Sequence, residues 1–433
     1  MRHPIKVFKF GGASVKDAAG VRNVANILKQ YSHERLVIVI SAMGKVTNAI
    51  EEVIKAHSQK TGEAQAKYEA IKKQHFELAI ELLGDGHEAL NDLNDLFVEG
   101  EWVLEEDPHP NFDYLYDQII GIGELVSTRI VAAYLGHVGL KSQWLDAREM
   151  LRTDEIFREA TVLWPTTIDQ TERNMLPILN EGAWVVTQGF IGSTADNATT
   201  SLGREGSDYS AAIFSYCLDA ESMTIWKDVP GVLTADPRLF ENVTQLFRLS
   251  YQEAIEMTYY GARVIHPKTI KPLQNKSIPL HVKSFINPDA QGTVIAPDVD
   301  DIYPPIVVVE NDQALLNIST KDFSFVAEHH LGHLFNLFAK HRIWVNLMKN
   351  TAINFIVCVP NDTGRVPALL ADLQKEFNVV IEEGLELVTV RHYQTDILTE
   401  LKRGKISLME DNFQATVQMV LRNVPIMKRK AEA

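Results

Sequence analysis

Cysteine is scarce: the 433 residues hold two, Cys217 and Cys358, both inside apolar runs. That placement suits two buried thiols in a reducing compartment, not a disulfide framework. Positive charge is also in deficit. Lys and Arg total 42 against 57 Asp and Glu, a formal charge of −15. A general nucleic-acid binder needs a basic face to neutralise phosphates, so no nucleic-acid partner is expected. A small anionic substrate stays compatible if a few cations are focused in one cleft. No apolar run approaches the ~18 residues of a membrane span, and the opening residues lack a secretory-signal pattern. The expectation is a cytoplasmic protein with no membrane partner. What is present is globular: 45% hydrophobic and 23% charged residues, in a chain long enough for two or three domains.

Three zones follow one another. Residues 1–300 alternate short β-rich runs, such as "RLVIVISAM", "AWVVTQGFIG" and "SMTIWKDV", with helical patterns. Unbroken apolar runs suit parallel strands covered on both faces. The alternation predicts an α/β sheet with ligands at the C-terminal ends of its strands. Within this zone, residues 49–106 read as a helical insertion, with Tyr68, Ile71, His75, Leu78 and Leu82 on one face and "DPHPN" breaking it. Residues 287–306, with their prolines and acids, read as a linker. From residue 307 the rhythm is β-α-β-β-α-β, the ferredoxin-like order. A second copy reads as starting near residue 384 and stopping after β-α-β-β, without a last helix and strand. This predicts modules at 307–383 and 384–433.

Several stretches carry candidate chemistry. In "VFKFGGASVK" a strand delivers Lys9 to Gly11 and Gly12, with Ser14 next and a helix predicted from Val15 or Lys16. Paired glycines, a cation and a helix N-terminus form a phosphate site in physical terms, although the Walker spacing is absent. A plain strand-to-helix turn would read the same way. In "SLGREGSDYSAAI", Arg204 offers a bidentate clamp for a carboxylate, and Ser207 and Asp208 are good helix caps. "IWKDVPGVLTADPR" delivers Lys227 and Asp228 to a strand end and closes on Arg238. "GELVS" puts Glu124 at a helix start. "YYGARVIHPKTIKP" adds Arg263 and Val264.

In this order the blocks "KFGGASV", "SAMGKVTN", "GELVS", "GREGSDYSA", "WKDVPGVLTADPR", "YYGARVIHP" and "NPDAQGTVI" resemble the aspartate kinases of the amino-acid kinase superfamily. The resemblance covers nearly the whole chain, and its tail is similar to tandem ACT regulatory modules. It implies a three-layer αβα kinase domain with a mainly parallel sheet, followed by tandem ferredoxin-like modules. It also implies transfer of phosphate from ATP, with Mg²⁺, to the side chain of L-aspartate. By position, Lys9, Asp208 and Arg204 would be catalytic, and Thr47, Glu124, Arg204 and Ser207 would bind substrate. Lys9, Gly11, Gly12, Ser14, Lys227, Asp228, Arg238, Arg263 and Val264 would face the nucleotide. No metal-ligand set is expected, since Mg²⁺ prefers phosphate oxygens and water. A homodimer through the ACT modules is implied. The alternatives are another kinase of this fold, acting on glutamate or acetylglutamate, and a non-catalytic amino-acid sensor.

The chain departs from the family pattern at four places in the kinase half. Glu205 stands where glycine is usual, Lys227 where threonine is common, Leu233 where tyrosine is common, and Arg263 where lysine is usual. In the regulatory half, His329 and Asn346 match positions that normally hold a glycine and an effector-binding aspartate. Feedback by lysine or threonine is therefore left open by the sequence.

Overall fold

The computed structural model describes residues 3–262, 265–297, 299, 302–322 and 324–424. The chain forms two compact units. One comprises Met1–Val232, Gln245–Ile255 and Val264–Asp300, and the other Leu233–Thr244, Glu256–Arg263 and Asp301–Ala433.

The first unit is built on strands β1 (Ile5–Phe10), β2 (Arg35–Ile40), β3 (Ser142–Trp144) and β4 (Trp184–Gln188). A small hairpin follows, β5 (Ile191–Ser193) and β6 (Thr199–Ser201), then β7 (Ser222–Lys227). Short strands β8 (Val232–Leu233) and β9 (Gln245–Leu246) precede β10 (Arg248–Ser250), β11 (Leu280–Ser284) and β12 (Thr293–Ala296). The eight-stranded sheet has the order β10-β12-β11-β7-β1-β2-β4-β3. Every pairing in it is parallel except β11 with β12. The unbroken apolar runs have the predicted cause: every residue of β4, and all of β2 after Arg35, is buried.

Its helices are α1 (Ala18–Lys29), α2 (Val46–Ser58), α3 (Ala64–Leu83), α4 (Ala89–Glu105), α5 (Phe112–Ile120) and α6 (Ile122–His137). They continue with α7 (Ala147–Met150), α8 (Trp164–Asn180), α9 (Gly206–Cys217), α10 (Tyr251–Tyr259), whose residues from Glu256 on belong to the second unit, and α11 (Pro267–Asn275). Tyr68, Ile71, His75 and Leu82 are buried along α3, as their spacing predicts. The Tyr68 hydroxyl donates to the Phe97 carbonyl of α4 at 2.8 Å.

Two expectations change here. The segment expected to be a linker from residue 287 supplies β12, which joins the main sheet. Residues Phe112–His137 are also long and apolar enough to cross a membrane by length and composition, but 78% of the apolar 18-residue stretch within them is buried inside the protein. The stretch escapes a simple search for apolar runs because Glu124, Ser127, Thr128 and Arg129 interrupt it.

The second unit contains β13 (Ile306–Thr320), α12 (Glu328–Lys340), β14 (Leu347–Asn350), β15 (Asn354–Pro360), α13 (Arg365–Glu376) and β16 (Phe377–Arg391). It ends with α14 (Thr395–Leu401), β17 (Lys405–Phe413) and β18 (Thr416–Asn423). These strands make one six-stranded sheet, β14-β15-β13-β16-β18-β17, antiparallel throughout. Residues read as two strands, "FNVVIEE" and "LELVTVRH", are the halves of β16. Its first half, Phe377–Glu382, pairs with Leu315–Thr320, and its second half, Leu387–Arg391, with Ile306–Glu310. The register shifts between Glu310 and Leu315 separate these two pairings.

The second βαββ copy is thus completed by a strand from ahead of the first copy. Val307 and Val309 pack with Val388, Val390, Val417 and Met419, beneath Ile397 and Leu401 of α14. The sequence order hides this, because the completing strand precedes the module it completes.

Candidate active site

The site is gathered where parallel strands β7, β1, β2 and β4 end side by side. Alternation along β1 sends Lys9 and Phe10 to opposite faces. Phe10 stacks on Trp226 of β7 at 5.8 Å and 2°, and both are fully buried. Each burial contributes roughly 2–3 kcal/mol to holding the rim in place.

Beyond Phe10 the loops after β1 and β2 lie backbone against backbone. Ser41 N–H donates to the Phe10 carbonyl at 3.2 Å and Gly44 N–H to the Gly12 carbonyl at 3.0 Å. A Cβ on Gly12 would stand 2.6 Å from the Ala42 carbonyl oxygen, so only glycine fits. Gly12–Val15 then form a single 3₁₀ turn. The helix itself starts later than predicted, at Ala18, capped by Asp17, whose carboxylate accepts from Gly20 N–H at 2.8 Å. Ser14 is buried in this turn, and its hydroxyl has no partner.

Lys9 Nζ lies 2.7 Å from Asp208 Oδ1, with the two side chains 11% and 6% exposed. The approach is an ion pair and not a directed hydrogen bond, because Asp208 Oδ1 has no hydrogen-bond partner of acceptable geometry. Asp208 and Ser207 sit in the first turn of α9, both buried. Their seat depends on Gly189, at the end of β4. A Cβ there would meet Ser207 Cα at 2.5 Å, and Gly189 N–H donates to the Ile40 carbonyl at 3.1 Å. Gly189 escaped the motif reading. Its only signal is its place at the end of "AWVVTQGF".

Glu124 occupies the first turn of α6 and is 3% exposed. Burial pushes its carboxyl up to about 8, against the opposing pull of the Ala42 and Glu124 backbone N–H groups and of the Lys9 charge. Its Oε2 has no partner. The helix fits closely at this point because of Gly123, whose added Cβ would touch Ala42, Val46 and Ile50 at 3.1–3.2 Å. Ser127, one turn on, ties α6 to the rim by donating to the Ser41 carbonyl at 2.8 Å. Thr47 lies half-buried in the first turn of α2.

The remaining expected residues vary in placement. Arg204 is exposed, on the turn that leads into α9. Lys227 is half-buried at the end of β7, and Asp228 beside it is exposed. Arg238 belongs to the second unit, where it is engaged with Asp236 at 2.6 Å. Arg263 and Val264 lie outside the described residues. Among the described residues no group of three or more His, Cys, Asp or Glu could hold a metal ion. The rim offers a buried cation, glycine backbone and a buried acid with one oxygen unpartnered. Such a site can bind an anion and an ammonium group side by side.

Residues 4–284 match the amino acid kinase family. The chain is 32% identical over 396 residues to the lysine-sensitive aspartokinase 3 of Escherichia coli (strain K12), covering 89% of this chain and 86% of that protein. It is 32% identical over 399 residues to the chloroplastic aspartokinase 1 of Arabidopsis thaliana, covering 89% and 68%. Among solved structures it is similar to E. coli aspartokinase III in complex with aspartate and ADP in the R-state. The TM-score is 0.81 at 28% identity, over 97% of this chain and 96% of that one.

Proposed function

This chain belongs to the aspartokinases of the amino acid kinase family, and on that premise we propose that it transfers the γ-phosphoryl group of ATP to the side-chain carboxylate of L-aspartate. The product is 4-phospho-L-aspartate, which opens the route to lysine, threonine and methionine. The observation that carries the reading is the Lys9–Asp208 pair, buried beside the bare backbone of Gly11 and Gly12.

The chemistry asks little of the protein beyond positioning and charge. A carboxylate nucleophile with an ordinary pKa of about 4 is already ionised at neutral pH, so no general base is needed. The work lies in bringing two anions together and stabilising the transferring phosphoryl group. Lys9 contacts that group, Gly11, Gly12 and Ser14 line it, and Asp208 fixes the direction of the Lys9 ammonium. Glu124 receives the α-ammonium of aspartate, which supplies the missing partner of its Oε2. Arg204 takes the α-carboxylate, with Ser207 and Thr47 adding hydrogen bonds. Lys227 and Asp228 serve the nucleotide, together with Arg238, Arg263 and Val264. Mg²⁺ travels with ATP and neutralises phosphate charge. We assign the kinase domain to residues 1–300 and the paired ACT modules to the segments starting at 307 and 384, with a homodimer formed through those modules and a cytoplasmic site of action.

A hydroxamate assay for acyl phosphate, with aspartate, glutamate and acetylglutamate in parallel, tests the reading. Signal with aspartate is expected. Its absence above the no-acceptor control would defeat the proposal, and signal with another acceptor alone would favour the other kinases of this fold.

A further inference from the structure

The chain makes an uncommon turn just beyond β4. Phe190 has φ 75°, and Ile191 N–H donates across it to the Gly189 carbonyl at 3.0 Å. That is a γ-turn of the rare, strained hand, built here around an aromatic residue. Strain of this kind persists only where the surroundings over-determine it. Here every backbone polar group of Gly189 and Phe190 is held. Gly189 N–H donates to the Ile40 carbonyl at 3.1 Å. The Phe190 carbonyl accepts from Leu202 N–H at 2.9 Å, at the start of the turn that runs through left-handed Glu205 (φ 55°) into α9. Phe190 N–H donates to the Ser210 hydroxyl at 2.9 Å.

Ser210 is fully buried in α9 and passes the bond on, since its own O–H donates to the Gly206 carbonyl at 3.0 Å. Gly206 opens the helix, and Asp208 stands between the two on the same turn. The fit is close on both sides. A Cβ on Gly206 would lie 2.7 Å from the Phe190 ring, just as one on Gly189 would meet Ser207. A serine that bonds four residues back is common in helices and needs no role. Ser215, equally buried in α9, does that with the Ala211 carbonyl at 2.7 Å. Ser210 differs in accepting a donor from outside its helix, and that donor belongs to the strained residue.

We infer that Ser210 is a positioning residue for phosphoryl transfer: it registers the first turn of α9 against the end of β4, and so holds Asp208 where it directs the Lys9 ammonium. This rests on the aspartokinase reading above. The bonds run from one member of that pair to the other without a gap. Phe10, next to Lys9, accepts from Ser41 N–H, the neighbouring Ile40 carbonyl holds Gly189, and Phe190 holds α9 through Ser210. The ion pair cannot fix its own geometry, because its 2.7 Å approach is not a directed hydrogen bond. A stiff γ-turn gives α9 one seat instead of several. Misplacing a reacting group by about 1 Å costs on the order of 10²-fold in rate.

The test uses the full chain in wild type, Ser210→Ala and Ser215→Ala, with kcat and aspartate KM measured at saturating ATP, well below the melting temperature. Ser215→Ala removes an equally buried hydroxyl from the same helix and controls for helix stability. In Ser210→Ala, kcat should fall about tenfold or more, with aspartate KM within about threefold of wild type. Ser215→Ala should keep the wild-type kcat. Amide exchange should quicken about tenfold at Phe190 and Asp208 in Ser210→Ala alone. A kcat within about twofold of wild type overturns the inference, as does a loss confined to KM or an equal loss in Ser215→Ala. Unchanged exchange at Asp208 overturns it too, and that readout needs no turnover. A wild-type chain inactive on aspartate would refute the kinase reading itself, whereas an active wild type with an unimpaired Ser210→Ala refutes only this inference.

Discussion

The rim of the parallel sheet and the Asn346 position of the antiparallel unit treat their polar groups in opposite ways. On the rim of the parallel sheet, Ser14, Glu124 and Glu205 each keep an oxygen enclosed without a partner. In the antiparallel unit, the position that would hold an effector-binding acid is Asn346. Its amide donates to Glu310 Oε2 at 3.2 Å and to Gln313 Oε1 at 3.1 Å, while its backbone N–H donates to the Cys358 carbonyl at 2.9 Å. The rim carries unmet demand, and the Asn346 position has closed its demand internally. An unmet buried group is costly unless something arrives to meet it, so ligands are expected at the first place and not at the second.

The sharpest way to break this contrast is Lys9→Ala. It removes the cation from the transferring phosphoryl group and leaves Asp208 buried alone. A loss of about 10³-fold or more in kcat is expected. A loss confined to KM would show that Lys9 serves binding only.

Glu124→Gln comes next and should split activity from stability. Aspartate KM should rise by about 100-fold, the usual scale for a buried charged partner. The fold should become more stable near pH 7. The folded carboxyl, at about 8, lies above its ordinary 4.5. Ionising it is therefore disfavoured in the native state, and stability declines as pH rises from 4.5 toward 8. Glutamine carries no such penalty, and a gain on the order of 1–3 kcal/mol is expected from melting curves. An unchanged melting temperature would contradict this account of Glu124.

The same group predicts a pH effect in the wild type. Glu124 must lose its proton to pair with an ammonium group, so aspartate KM should fall between pH 6 and 8, by up to about tenfold per unit. A flat KM over that range would point to another residue for the ammonium. The smallest effect is expected in the second unit. Asn346→Asp would set a carboxylate against Glu310 and delete two donated hydrogen bonds. Destabilisation of about 1–3 kcal/mol is expected by denaturant titration, with kcat at saturating substrate unaltered. A change in kcat would show that the two units communicate through this position.

Much of the rim was legible before the fold was known, because the chemistry is written in residues that are unusual in context. Lys9 ends an apolar strand, two glycines follow it, and Glu124 interrupts an apolar helix. Such features survive without tertiary information. The Lys9–Asp208 pairing was not legible, since it depends on α9 packing against β1. Nor was the role of Gly189, which becomes necessary only once α9 is packed against it. Sequence periodicity also divided β16 in two, because a change of pairing partner midway looks like a boundary. The exposure of Arg204 and the left-handed backbone at Glu205 belong to the same class, since a turn's handedness is set by what holds its ends.

That 15-residue strand has a consequence for taking the protein apart. Cutting the chain near residue 383 would sever a single ribbon that serves as a member of both βαββ copies, and the second piece would lose the strand that completes it. The copies should therefore melt as one cooperative block, and a fragment carrying only the second would need Ile306–Glu310 grafted back before it could fold.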